Sequence, residues 1–363
     1  GNDTELSFSS KLDWQVMRTY IWGKVNYEKD FGMHHLDVAG IFSQGRKKYL
    51  KANNTYMFRD YMAHVSYNYD SRYLADVVFS YSGSGKLPTG DKYRIYPAVS
   101  VAWVASNEQF MKRFSALDYL KLRASFGITG NDSRLSYDMD KQFNGGGNSY
   151  IFVGTSSTYG LAQGGFPSTG VEPEKEYKAN VGVELGLWKG FSMQVDAFYN
   201  RRKQIKGESS GIYSTVVGRG MPFLFNGEVK NYGGEISMGW QQQLNHFGYS
   251  IQGNVSYAKN EIININEGYH PYGYMYYTGH SIGQFYGLIA EGLYQKEDFD
   301  AQGNLLPGAP VSTYEAKLQP GDVKYKDLNE DGKIDNYDHC YQQNTTLPEI
   351  YYGFSLGLNY KNC

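Results

Sequence analysis

The 363 residues carry a formal net charge of -2 and 41% hydrophobic side chains, enough apolar material for a large fold and no global field to attract nucleic acid. A count of 43 Gly, 35 Tyr and only 10 Pro, with a mean hydropathy of -0.55, excludes a bundle of membrane helices. Charges or glycines interrupt every apolar stretch before the roughly 18 residues a spanning helix needs, but a membrane-crossing strand needs only about 9 to 11, of which alternate ones face lipid.

In chain order, the polar opening GNDTELSFSS lacks an initiating Met and is not a signal peptide, so a truncated or processed chain is expected. The basic run Arg46 to Lys48 is too short for a nucleic-acid patch. Around Lys86 the stretch SGSGKL is no phosphate loop, because Leu87 stands where a Ser or Thr would be needed. From Leu120 onward period-two alternation dominates. Leu120, Leu122, Ala124 and Phe126 oppose Lys121, Arg123 and Ser125. In YKANVGVELGL, Ala179, Val181, Val183, Leu185 and Leu187 oppose Lys178, Asn180 and Glu184. The pattern recurs in FSMQVDAFYN from Phe191, YSIQGNVSY from Tyr249 and GFSLGLNY from Gly353.

Alternation alone fits either a soluble antiparallel sheet packed on one face or a barrel with lipid outside and water inside. Connector lengths separate the two. About eleven strand candidates are joined by short turns near Gly32 to His34, Asp70 to Arg72, Lys189 to Gly190 and Leu244 to His246. These alternate with long connectors from Gln44 to Met57, Gly130 to Lys175, Ile205 to Phe225 and Asn260 to Pro348. Aromatics beside the short turns, among them Tyr67, Tyr69, Tyr73, Trp188, Phe191, Phe247 and Tyr249, read as an interfacial girdle. The expected fold is therefore an all-β, antiparallel transmembrane β-barrel with long extracellular loops. Residues 1–363 form part of it, roughly half of the barrel, and 260–348 form a long extracellular loop region. An odd strand count cannot close a normal bacterial barrel, so a fragment is expected.

Two loop motifs are candidate sites. In DLNEDGKIDNYD, Asp327, Asn329, Asp331, Lys333, Asp335 and Asp338 stand at the offsets of an EF-hand-type calcium loop, 327–338, with Gly332 at the bend. Side-chain oxygens of Asp327, Asn329 and Asp331 and the backbone carbonyl of Lys333 would converge on a hard cation. Asp335 would bind directly or through water. Asp338 replaces the usual Glu, which weakens bidentate closure. Structural calcium is the expected cofactor, and magnesium fits the wide all-protein cage less well. In YHPYGYMYY, Tyr269, Tyr272, Tyr274, Tyr276 and Tyr277 are candidate ligand-binding residues, the alternative being loop packing or lid contact. Inward charges such as Lys121, Arg123, Glu184, Asp196 and Glu235 line either a wet lumen or a packed plug. No HExxH or GxSxG is present, and His270 and His280 lack an evident partner set, so no catalytic residue is named. Cys340 and Cys363 have no zinc spacing and their pairing is open.

Five ordered blocks carry a more specific likeness: YPAVSVAWVASNEQF with LKLRASFGITGN; VEPEKEYKANVGVELGLWKGFSMQVDAFYN; FNGEVKNYGGEISMGW; SIGQFYGLIAEGLYQ; and PGDVKYKDLNEDGKIDNYDH. Together they resemble the SusC/RagA-type TonB-dependent outer-membrane transporters over nearly the whole chain. The N-terminal signal, the TonB-contacting segment, the plug and the closing strands of that family are expected to lie elsewhere. The resemblance implies location in a Gram-negative outer membrane, surrounded by outer-membrane lipid. It implies active import of a glycan fragment or an oligopeptide, driven by the TonB complex, with a SusD-like surface lipoprotein over the mouth. A soluble or surface-attached glycan-binding β-protein is the alternative, and a barrel-embedded hydrolase the second rival.

Overall fold

The computed structural model describes residues 15–49, 55–151, 157–209, 213, 215–314 and 317–360. The polar opening decapeptide and Cys363 lie outside the described residues. Helical structure among those described is limited to single 3-10 turns; none is long and apolar enough to cross a membrane. The strands are β1 Val16–Phe31, β2 His34–Tyr49, β3 Thr55–Tyr69, β4 Tyr73–Ser84, β5 Tyr93–Val104 and β6 Leu117–Asn131, then a hairpin of β7 Phe143–Ile151 and β8 Ser157–Gln163. They continue as β9 Glu174–Leu187, β10 Phe191–Gly207, β11 Leu224–Leu244 and β12 Phe247–Asn264. The short strands β13 Gln284–Gly287, β14 Ala290–Leu293, β15 Val311–Ser312, β16 Val323–Tyr325, β17 Lys333–Ile334 and β18 Cys340–Thr345 follow, and β19 Ile350–Tyr360 is long again.

Two compact units divide the chain, one holding the residues through Asp140 with Ser168–Lys189, the other holding Lys141–Pro167 with the residues from Gly190. The first unit is an antiparallel meander in which β1, β2, β3, β4, β5, β6 and β9 follow one another as hydrogen-bonded neighbours. Its register carries alternation into rows across the sheet. Val77, Val99, Phe126 and Ala179 are successive cross-strand partners on one face, and Asp76, Ser100, Ser125 and Asn180 on the other. A one-residue slip would exchange the two faces, so the pattern fixes the register. The second unit repeats the arrangement in β10, β11, β12 and β19, with Val195, Ile236, Val255 and Tyr352 in one row and Gln194, Ser237, Asn254 and Gly353 in the next.

All four expected short turns are present. Trp188 and Lys189 hold φ of 52° and 54°, and Asp70 and Ser71 hold 51° and 52°. Such left-handed pairs match the right-handed twist of the strands they join. Asn68 accepts the Ser71 amide at 2.9 Å and Asp118 accepts that of Lys189, compensating these non-glycine turns with side-chain bonds.

The connector expected from Gln44 to Met57 is a correction. β2 continues to Tyr49 and β3 resumes at Thr55, pairing Lys48 with Thr55 and Arg46 with Met57. Residues 50–54 lie outside the described set. A 16-residue strand at about 3.3 Å per residue far exceeds a hydrocarbon core of roughly 30 Å, so its end can carry the cations Arg46, Lys47 and Lys48 beyond that core. The remaining long connectors stand where expected: 132–173 with its β7–β8 hairpin, 208–223, and 265–349 with its three small sheets.

Candidate functional site

The apolar rows of the long strands are not covered. Leu122 is 39% exposed, Val99 44% and Ile251 40%, while Val183 is half-buried. A soluble sheet would bury such a face under a second layer, but among the described residues the small buried core lies largely in connectors and strand ends, at Leu87, Leu135, Val171, Ile262 and Ile334. Aromatics gather beside the short turns: Phe31 stacks on His34, Tyr69 on Tyr73, and Trp240 donates to the Tyr249 hydroxyl at 3.2 Å. An exposed greasy band edged by such aromatics is what the lipid-facing side of a barrel wall presents.

The opposite face of the first unit is a paired polar lining. Ser43 donates to Asp60; His64 contacts Asp76 at 3.2 Å; Lys121 and Arg123 both approach Glu184, at 3.6 and 3.2 Å. At the end bearing the long connectors, Lys86 donates to the Asp132 carbonyl at 2.9 Å and sits over the Tyr56 ring, while Tyr56 and Ser84 both donate to the Asp132 carboxylate. Lys86 is thus a tie between loops. At the short-turn end Glu108 accepts from Arg72 at 3.1 Å, Tyr73 at 2.7 Å and Trp103 at 3.3 Å. The Tyr73 hydroxyl bond, joined by those from Trp103 and Arg72, outweighs burial and holds the Glu108 carboxyl below its ordinary pKa.

In the acidic loop, Gly332 has a φ of +81° and supplies the bend. Its amide donates to Asp327 Oδ2 at 2.8 Å, that of Asp331 to Asn329 Oδ1 at 3.2 Å, and that of Lys333 to Asp331 Oδ1 at 2.9 Å. Lys333 opens β17, which pairs in parallel with β15. Asp335 caps the following turn by accepting the Tyr337 amide at 2.7 Å. Asp338 is 0% exposed and spends both oxygens on backbone amides, Leu328 and Asp335, each at 2.8 Å. The donor set fits a hard cation in one respect: Asp327 Oδ1 is buried without a hydrogen-bond partner. Against this, among the described residues no three His, Cys, Asp or Glu side chains converge as a metal site, because Asp338 is turned onto the backbone.

The tyrosine run packs onto this loop. Tyr272 stacks on Tyr274 at 5.4 Å and meets Tyr337 edge-on, Asn329 Nδ2 donates to the Tyr272 hydroxyl at 3.3 Å, and Tyr274 donates to the Tyr337 carbonyl at 2.7 Å. Tyr276 closes on His270 and its carbonyl, and Tyr277 stacks on Tyr341. Glu267 accepts from the Tyr277 and Thr278 amides and the Thr278 hydroxyl. Burial pushes that carboxyl upward, but those bonds prevail and leave it below its ordinary pKa. Of the five expected ligand contacts only Tyr269, 86% exposed, projects from the loop with its ring open. His270 lies 4.0 Å from Glu267 and His280 stacks on Tyr341, so both serve aromatic packing. Cys340 is a buried free thiol, and burial raises its pKa.

No family model matches the chain. It is 24% identical over 386 residues to TonB-dependent receptor P3 of Formosa agariphila, which covers 93% of this chain and 37% of that protein. It is 21% identical over 313 residues to TonB-dependent receptor SusC of Bacteroides thetaiotaomicron, covering 83% of this chain and 30% of the relative. Among solved structures, the RagAB peptide transporter superposes with a TM-score of 0.72 at 15% identity over 96% of this chain and 40% of that one. The likeness read from the five ordered blocks is borne out, and the fold is that of part of a transporter barrel. This chain spans well under half the length of each of these relatives. Fold and relatives place it in the outer membrane, and the relatives are receptors and transporters rather than enzymes.

Proposed function

We propose that this chain forms part of the wall and outer rim of a TonB-dependent transporter that actively imports a large nutrient, a glycan fragment or an oligopeptide, with a SusD-like lipoprotein over its mouth. The observation that carries the reading is the division of long strands into an uncovered apolar row and an opposite polar row, as in Val77, Val99 and Phe126 against Asp76, Ser100 and Ser125, in sheets that follow a transporter barrel. The test is made on the full-length parent in its own cell. It should fractionate with outer membranes, support uptake that stops when TonB is deleted, and copurify with a surface lipoprotein; a soluble protein, or uptake indifferent to TonB, would overturn the proposal.

We also propose that the 327–338 loop takes a structural calcium through Asp327, Asn329, Asp331, the Lys333 carbonyl and Asp335, with Asp338 closing the cage after leaving its backbone bonds. Support comes from the ligand spacing, the bend at Gly332 and the orphaned Asp327 oxygen. The cation would stiffen the long connector. Calorimetric titration should show calcium uptake that is lost in Asp327→Asn. Heat absent from the unaltered protein, or unchanged in the variant, removes the site.

A further inference from the structure

The uncovered face of the first unit does not stay apolar to its end. On β2 it runs from His34 through Val38 and Phe42 to Gln44, Arg46 and Lys48. β3 adds Arg59 beside Gln44, and Met57 and Thr55 beside Arg46 and Lys48. β1 adds only Ile21, Thr19 and Met17. Three cations thus share the face, with no carboxylate among these cross-strand neighbours. Arg59 Nε donates to Gln44 Oε1 at 2.8 Å, which steadies the guanidinium and leaves its two terminal nitrogens uncommitted among the described residues. Arg46 and Lys48 are exposed, and neither has a hydrogen-bond or ion-pair partner among the described residues. Side chains two apart on a strand lie about 7 Å from each other, and diagonal cross-strand neighbours about 7 to 8 Å, so one headgroup can reach all three.

The height of the patch on the wall is set by what lies below it. Tyr61 meets Phe42 at 5.3 Å and Tyr81 at 6.4 Å, and Tyr81 stacks on Tyr93 at 4.6 Å, a belt of rings directly beneath the cations. At the short-turn end the same face finishes in the row His34, Tyr69 and Tyr73. Ten residues separate His34 from Gln44 on β2. That is about 33 Å of strand and, at a tilt near 40°, about 25 Å of height, the apolar band of an outer-membrane barrel. Arg59 therefore stands at the upper edge of the hydrocarbon, with Arg46 and Lys48 above it at the level of headgroup phosphates. This is the end that bears connectors 85–92 and 132–173, and long connectors face outward in such barrels. Like charges this close repel unless an anion lies among them. Phosphate oxygens fit the guanidinium fork and supply that countercharge.

We propose that Arg46, Lys48 and Arg59 form a site on the outer surface of the wall for the phosphate groups of lipopolysaccharide, the phosphorylated glycolipid of the outer leaflet. The inference rests on the reading of this face as the lipid side of a barrel and adds a particular lipid to it. The test uses the full-length parent, purified in nonionic detergent, stripped of lipid and titrated with bisphosphorylated lipid A, the bound fraction being read by native mass spectrometry. Lipid A should bind, while dephosphorylated lipid A and phosphatidylglycerol bind at least tenfold more weakly and inorganic phosphate does not displace it. Combined Arg46→Gln, Lys48→Gln and Arg59→Gln should weaken lipid A binding at least tenfold. Lys47→Gln, next in sequence but on the opposite face, should leave it unchanged. Heat-modifiable gel mobility reports whether each variant still forms a barrel; if the triple variant does not, Arg46→Gln alone should weaken binding at least threefold. Equal affinity for the dephosphorylated lipid or for phosphatidylglycerol, displacement by inorganic phosphate, or an affinity that the substitutions leave untouched would each overturn the site. A parent that sits in outer membranes yet fails this test loses only the lipid site, whereas a soluble parent loses the wall reading itself.

Discussion

Glu108 shows how a single side chain holds the short-turn end together, since it receives three donors from β4, β5 and the turn before β4. Its depressed pKa fixes the sign of a pH effect. The stabilisation is fully present above the unfolded value near 4.5 and disappears as pH falls through the lower folded value. Glu108→Gln should therefore unfold at lower urea than the unaltered protein at pH 7, with the gap closing towards pH 3; a gap independent of pH would exclude the carboxylate as its source. Gly233 is a steric counterpart, because a Cβ there would run into the Tyr257 carbonyl and the Phe198 ring. Gly233→Ala should reduce the heat-modifiable folded fraction, whereas Gly40→Ala, with open space, should not. Neither residue was legible in the sequence. Glu108 lies in a short connector with no motif, and its donors come from positions 36, 35 and 5 residues away.

At the scale of elements, the alternation of β6, β9, β10, β12 and β19 was plain from the sequence because each strand has two unlike faces and no competing helical period. Strand ends were less plain: the expected connector from Gln44 to Met57 overlaps β2, since the charges of Arg46 to Lys48 mark a segment as wet without saying whether it is extended. The two loop motifs were found separately, and their packing together was invisible because Tyr272 and Asn329 are 57 residues apart. That contact has a mechanical consequence. Tyr337→Ala removes the edge against which Tyr272 rests, so amide exchange across 268–277 should quicken while that of β12 stays slow. Unchanged protection in 268–277 would show that Glu267 and the Tyr277 stack hold the run alone.

For the whole molecule, the uncovered apolar rows predict where lipid touches protein. Val99→Arg, in the middle of such a row, should cost roughly 2 to 4 kcal/mol of folding stability in vesicles, as a guanidinium near the bilayer midplane does, while Ser100→Arg on the polar face should cost far less. Equal losses would contradict the assignment of faces. Spin labels at Leu122 and Ile251 should relax with oxygen dissolved in lipid, and a label at Asn180 with a water-soluble nickel complex. The long connector 265–349 leaves β12 and returns through β19, and those strands are partners whose pairing extends to Tyr257 with Ile350. Its two stems are thus clamped together by the wall. Whatever sequence fills the interval, β12 and β19 pair beneath it in the same way, so selection can rewrite the connector residue by residue, or exchange it whole, without renegotiating the scaffold that carries it.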